Sequence, residues 1–202
     1  MVAARLKPPE NQVQESDSES VEKFAAVLRG RRSIDLFSPE PVSAATLLAA
    51  IEVARWAPNH RLTEPWRFYV LGAATMRAVV DLAVELEVAA KGERAGPVRR
   101  ARLEAVPGMF VLTSARSEDP LVDRENYAAC CCAAQNLMLY LWRQGIGVKW
   151  TTGGITRQQR LYDLLGIDSG KEALVGFFWY GVPTVIPSQK RRPIEEIATQ
   201  LA

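Results

Sequence analysis

Gly145-Ile146-Gly147-Val148-Lys149-Trp150-Thr151-Thr152-Gly153-Gly154 is the stretch on which the fold class turns. Gly145-x-Gly147 has the start of a dinucleotide-binding fingerprint, but the further glycine and the acidic partner are missing, so a Rossmann crossover is a poor fit. Val148 to Thr151 reads instead as a strand entering a turn at Gly153-Gly154. Upstream, residues 123–144 form the longest helix candidate, apolar nearly all round between Ala128 and Trp142 and ended by Gly145. Such a helix belongs inside a protein or inside a subunit interface. Downstream, Thr156 is expected to cap a helix carrying Leu161, Leu164 and Leu165, and residues 173–180 form a fully apolar strand stopped by Gly181-Val182-Pro183.

The rest of the chain extends this pattern. Pro8-Pro9 and the polar run from Gln14 to Glu19 predict a flexible tail over residues 1–19, ahead of one domain over 20–202. Ser20 is a plausible cap for a helix with Val21, Phe24, Ala25 and Leu28 on one side, stopped by Gly30. Ser43 caps a second helix through Leu47, Leu48, Ile51 and Ala54, which Pro58 keeps from continuing. Residues 66–71 read as a strand, 75–90 as a helix, 91–106 as a basic surface excursion with a short helix, and 109–113 as a buried strand. Trp66 and Phe68 are expected in the core. Helices and strands are interspersed without a βαβ rhythm, which predicts an α+β domain.

Composition narrows the function. The chain has 202 residues, 48% hydrophobic and 24% charged, with a net charge of +2, which gives no footing for a nucleic-acid surface. No apolar run approaches the roughly 20 residues needed to cross a bilayer, and no signal-peptide core opens the chain, so a cytoplasmic location is expected. Cys130, Cys131 and Cys132 are consecutive and point in different directions from one helix, so they are expected to pack in or near a core. With one histidine and no spaced cysteines, no metal site is expected.

Arg31-Arg32-Ser33, Ala57-Pro58-Asn59-His60 and Pro65-Trp66 carry the chemistry. Two guanidinium forks and a hydroxyl lie where one helix ends, and the single histidine lies beyond the end of the next. Arginine forks hold phosphate in bidentate fashion, so the set suits an anionic planar ligand such as flavin mononucleotide (FMN). The residues alone leave a second reading open, a charged turn that only separates two helices.

Three blocks in order resemble the nitroreductase family of flavoproteins. The first runs through Arg31-Arg32-Ser33-Ile34, Phe37, Pro41-Val42, Ala54 to His60 and Glu64-Pro65-Trp66-Arg67-Phe68, and its Ala57-Pro58-Asn59-His60 is similar to the small, minimal subgroup. The second is Gln144-Gly145-Ile146-Gly147 with Trp150-Thr151-Thr152-Gly153. The third is Val175-Gly176-Phe177-Phe178 through Gly181-Val182-Pro183, with Lys190-Arg191-Arg192-Pro193 beyond. The resemblance implies a central mixed or antiparallel sheet flanked by helices, in an intertwined homodimer with FMN at the subunit interface. It implies ping-pong transfer of reducing equivalents from NADH or NADPH through the flavin N5 to nitroaromatic or quinone-like acceptors. Carried over by position, Arg31, Arg32 and Ser33 hold the phosphate and ribityl end, Arg191 adds a second cation, and Trp150, Thr151 and Thr152 line the flavin. Trp56 and His60 reach the flavin bound mainly by the other subunit. No catalytic residue is assigned, because the flavin carries the hydride chemistry. Glu64 stands where many family members have Gln, and Trp56 replaces smaller or more polar residues. A non-catalytic flavin-binding or storage protein on the same fold is the alternative that these departures suggest.

Overall fold

β2 (Gly108–Ala115) is the middle of the fold, with every residue but the last buried. In the computed structural model, which describes residues 17–201, β2 sits between β1 (Trp66–Val70) and β4 (Glu172–Gly181), and β3 (Gly147–Thr151) forms the far edge. The strand order is β1-β2-β4-β3 and every pairing is antiparallel, so the expected α+β sheet is present. Six α-helices are found among the described residues: α1 (Ser18–Gly30), α2 (Ala44–Ala54), α3 (Ala73–Lys91), α4 (Ala95–Glu104), α5 (Pro120–Arg143) and α6 (Gln159–Leu165).

α1 is a unit of its own. It begins two residues ahead of the expected Ser20, with the backbone N–H of Glu19 donating to Asp17 Oδ1 at 3.1 Å. The expected tail otherwise falls on residues 1–16, which lie outside the described residues.

In the second unit, strand alternation divides the core in two. On one face Phe110, Leu112, Val148, Phe178 and Tyr180 pack with α2 and α5. On the other, Met109, Val111, Phe177 and Trp179 meet α3, α4 and Leu161 of α6. Phe178 stacks on Phe110 at 4.6 Å and on Trp150 at 5.3 Å, so one aromatic pile crosses β2, β4 and β3. Each such pair contributes about 0.5–1.5 kcal/mol beyond burial. Trp66 is buried in the same cluster and Phe68 packs against it, as expected of core residues.

α5 starts at the Asp119 cap, whose side chain accepts from the Leu121 N–H, with Pro120 in the first turn, where a missing donor costs nothing. Ala129, Cys130, Ala133, Leu137 and Leu141 bury one face, whereas Ala128, Cys132 and Gln135 stay exposed. The three cysteines thus fan out from buried to half-buried to exposed, and burial pushes the Cys130 thiol up to about 12. Ser43 caps α2 as expected, accepting from the Thr46 N–H at 3.1 Å. Thr156 does not cap α6. Its hydroxyl donates back to the Gly153 carbonyl at 2.8 Å in a 3₁₀ turn over Gly154–Arg157, and Gln158 occupies the cap position. A threonine hydroxyl that finds a carbonyl three residues behind it is no longer free to cap the helix ahead. The basic excursion contains α4, which tolerates Pro97 because it falls in the first turn.

Gly176 makes room for the aromatic pile. A Cβ there would lie 2.0 Å from Trp150 Nε1, which donates to the Val175 carbonyl at 3.2 Å. Gly176→Ala is therefore expected to destabilise the fold by about 1–3 kcal/mol, as overpacking does, measured as a lower midpoint in chemical denaturation.

Candidate functional site

The Arg31-Arg32-Ser33 segment runs beside edge strand β3. Ser33 forms a parallel bridge with Val148, and the Ile34 N–H donates to the Val148 carbonyl at 3.2 Å. Ile34 is fully buried and fixes the segment to the core. Phe37 pairs with Pro183, so the chain just before the Arg191 segment is joined to the same edge.

Arg31 is half-buried, and its Nε is buried without a hydrogen-bond partner. Its guanidinium is held below the usual range by burial first, then by the charges of Arg191 and Arg32. Arg191 and Arg32, from opposite ends of this unit, are thus near enough for their charges to act on Arg31. Like charges in a partly dry setting repel one another and favour an anion between them. Arg32 Nη1 donates to the Arg31 carbonyl at 2.9 Å, while Arg191 and Ser33 are exposed.

Two residues past Ser33, Asp35 accepts from Arg102 Nη2 at 2.7 Å and from Lys149 Nζ. It stands at the side of a cavity of about 410 Å³ between α3, α4 and the end of β3. Arg99, Arg102, Lys149, Thr151, Gly153 and Trp179 are among its walls. The Trp179 ring has Lys149 Nζ at 5.3 Å and the Arg102 and Arg99 guanidinium carbons at 5.7 and 6.0 Å. Arg99 Nε is buried without a hydrogen-bond partner, and burial lowers the pKa of its guanidinium. The arrangement suits an electron-rich planar group and an acidic tail.

Trp150 faces away from this cavity into the aromatic pile, as alternation along β3 requires. Thr151 lines the cavity. Thr152 is exposed beyond it, and its carbonyl accepts from Arg157 Nη1 at 3.2 Å. Trp56 and His60 do not line the cavity. Trp56 is 75% exposed at the end of α2, with Nε1 donating to Glu52 Oε1 at 3.3 Å and the Arg55 guanidinium over its ring. His60 is exposed, with Nδ1 2.9 Å from Glu125 Oε2 on α5.

The loop carrying His60 is strained. Arg61, Leu62 and Glu64 have φ of 61°, 50° and 44°, a region that costs non-glycine residues about 1–3 kcal/mol each. Asn59 holds it: Oδ1 accepts from the Glu64 N–H at 2.7 Å, and Nδ2 donates to Thr63 Oγ1 at 3.1 Å. Thr63 Oγ1 donates in turn to the buried Asn126 Oδ1 at 2.7 Å, and Asn126 Nδ2 donates to the Ala115 carbonyl at 3.1 Å. The chain of bonds runs from loop to α5 to β2.

Sequence reasoning missed Asp35, Arg99, Arg102, Lys149 and Trp179. Two signals pointed to some of them. Lys149 alternates with Trp150 on one strand and so must face the opposite side, and Asp35 follows the arginine corner by two residues. Among the described residues, no group of three or more His, Cys, Asp or Glu side chains is placed to hold a metal ion.

A helix-flanked antiparallel sheet, with a cluster of arginines and a cationic cleft at its edge, defines a small α+β domain. The chain belongs to the nitroreductase family, whose model matches residues 28–182. It is 31% identical over 180 residues to "Putative NAD(P)H nitroreductase YfhC" of Bacillus subtilis (strain 168), covering 87% of this chain and 92% of that protein. Its structure is similar to the nitroreductase-like family protein from Bacillus cereus, with a TM-score of 0.79 and 28% identity, over 88% of this chain and 95% of that one. It shares the fold of the FMN and NADPH-dependent nitroreductase NfnB from Sphigopyxis sp. strain HMH, with a TM-score of 0.71 and 18% identity over 89% and 99% of the two chains.

Hydrogen bonds from Lys149 and then Arg102 hold the Asp35 carboxyl below the usual carboxylate range, against the opposing effect of burial. A depressed carboxyl stabilises the folded chain above its unfolded pKa of about 3.9 and loses that contribution as pH falls through the folded value. The thermal-melting advantage of wild type over Asp35→Asn is therefore expected at pH 7 and is expected to close as pH drops below about 3.9.

Proposed function

We propose that the protein is an FMN-dependent oxidoreductase that uses NADH or NADPH to reduce nitroaromatic or quinone-like acceptors, as a cytoplasmic homodimer. The observation that carries this reading is the charge of Arg191 and Arg32 acting on Arg31, with an unpartnered buried Nε on Arg31. A phosphate dianion would satisfy that Nε and relieve the repulsion, each charged hydrogen bond contributing about 1.5–3 kcal/mol. The names of YfhC and NfnB support the same chemistry for relatives of this chain.

The spacing along β3 supports this reading. Ser33 is level with Val148, and Thr151 lies three residues further along β3, or about 10 Å at the rise of a strand. That span would accommodate a ribityl phosphate arm, with Arg31, Ser33 and Arg191 as the residues that would hold the phosphate and Thr151, Thr152 and Gly153 as those that would border the ring. When bound, FMN would supply the hydride chemistry at N5 that links NAD(P)H to the acceptor in a ping-pong cycle. The chain's own residues bind, orient and exclude water. Arg31 and Arg191 would neutralise the phosphate, Arg32 would add charge beside them, and Thr151 would help hold the ring. Trp150 holds the strand end rigid from the opposite face.

A homodimer would cover part of the exposed apolar surface. Trp56 and Leu62 are 75% and 83% exposed, and the outer side of α5 has no cover within the second unit. In a homodimer, Trp56 and His60 would reach the flavin held mainly by the partner. The described helices include none long and apolar enough to cross a membrane.

The test is absorbance spectroscopy. The purified chain is expected to be yellow or to become so with FMN, to bleach with NAD(P)H without oxygen, and to regain colour on adding a nitroaromatic or quinone. Colourless protein that cannot be reconstituted overturns the proposal. Reduced flavin that reacts with no acceptor faster than with dissolved oxygen assigns the storage role instead. Arg31→Ala is expected to weaken FMN binding on the order of 10- to 100-fold through loss of a charged fork, and unchanged affinity in a fluorescence titration would move the phosphate elsewhere.

A further inference from the structure

Asp35 occupies an unusual place in the cavity's electrostatics. Arg99, Arg102 and Lys149 all lie within 6.0 Å of the Trp179 ring, yet Asp35 alone accepts hydrogen bonds from two of them, Arg102 and Lys149. Glu87, the carboxylate among the lining residues, pairs with Lys91 on its own helix and reaches Arg99 and Arg102 only through its charge. The Asp35 backbone is pinned on both sides. The Ile34 N–H bonds to Val148, Phe37 pairs with Pro183, and the Ser38 N–H donates to the Val182 carbonyl at 2.8 Å. The carboxylate is therefore carried on a fixed segment, and the two long cationic side chains come to it.

We propose that Asp35 is a charge-setting residue of the cavity: it gathers Lys149 and Arg102 over Trp179, cancels part of their charge, and so tunes the field acting on the flavin ring. The inference rests on the flavin reading above. Reduction by two electrons increases the electron density of the ring, so a more positive cavity favours the reduced form. A unit charge acting across a cavity of this size, at an effective dielectric constant of about 20, changes such an equilibrium on the order of tenfold. Asp35 thus holds the flavin at a lower potential than the three cations alone would set. Its role is positioning and electrostatic. The reduction chemistry needs no proton or bond from it.

The experiment is a dye-equilibrated reduction of the FMN-loaded full chain, read by absorbance without oxygen. Asp35→Asn is expected to favour the reduced flavin about tenfold, a positive shift of about 30 mV for a two-electron couple, and Asp35→Glu is expected to restore the wild-type value. Lys149→Met is expected to shift the potential the opposite way, and it reads the same field should Asp35→Asn fail to fold. FMN bound with wild-type affinity at an unmoved potential in both Asp35→Asn and Lys149→Met overturns this inference alone. A wild-type chain that takes up no FMN overturns the flavin reading, and this inference falls with it.

Discussion

Stacking of Trp150 on Phe178 turns Lys149 and Thr151 to the opposite face of β3, because side chains alternate along a strand. The cleft depends on that constraint. A slip of one residue would place the lysine in the aromatic core and the tryptophan in the cavity. Gly176 protects the arrangement by leaving the space that the indole fills. The core of the α5 side and the charge of the α3–α4 side are thus set by the same strand and the same ring.

The charge pattern follows from where the chain crosses itself. The Arg31–Asp35 segment joins β3 by a single parallel bridge, and Phe37 ties it to the chain leaving β4. That crossing places the arginine corner, the Asp35 carboxylate and the approach to Arg191 along one sheet edge. Burial of Arg31 and Arg99 without full hydrogen bonding is unfavourable in isolation. Both stand among other cations, Arg31 with Arg32 and Arg191, Arg99 with Arg102.

Most elements were legible in the sequence because their signals are local. Ser43 and Gly145 mark helix ends, and the apolar runs of β2 and β4 mark buried strands. Thr156 misled because a hydroxyl can turn back on its own loop as readily as it caps the next helix. The proximity of Arg31 to Arg191 came from family resemblance, since 160 positions of chain hide it from any local pattern. Arg99 and Arg102 were not legible as cavity walls. Only the packing of α4, with Gly96 against Val88 and Val84 of α3, decides which side of that basic stretch faces the sheet.

The loop after α2 is shaped almost wholly by Asn59, Thr63 and Asn126, which bond to one another and to backbone. The side chains of Trp56, Arg61 and Leu62 are exposed and stand outside that frame. Shape and display are therefore separately encoded. The displayed side chains could be exchanged one for another while the supporting polar frame stays unaltered.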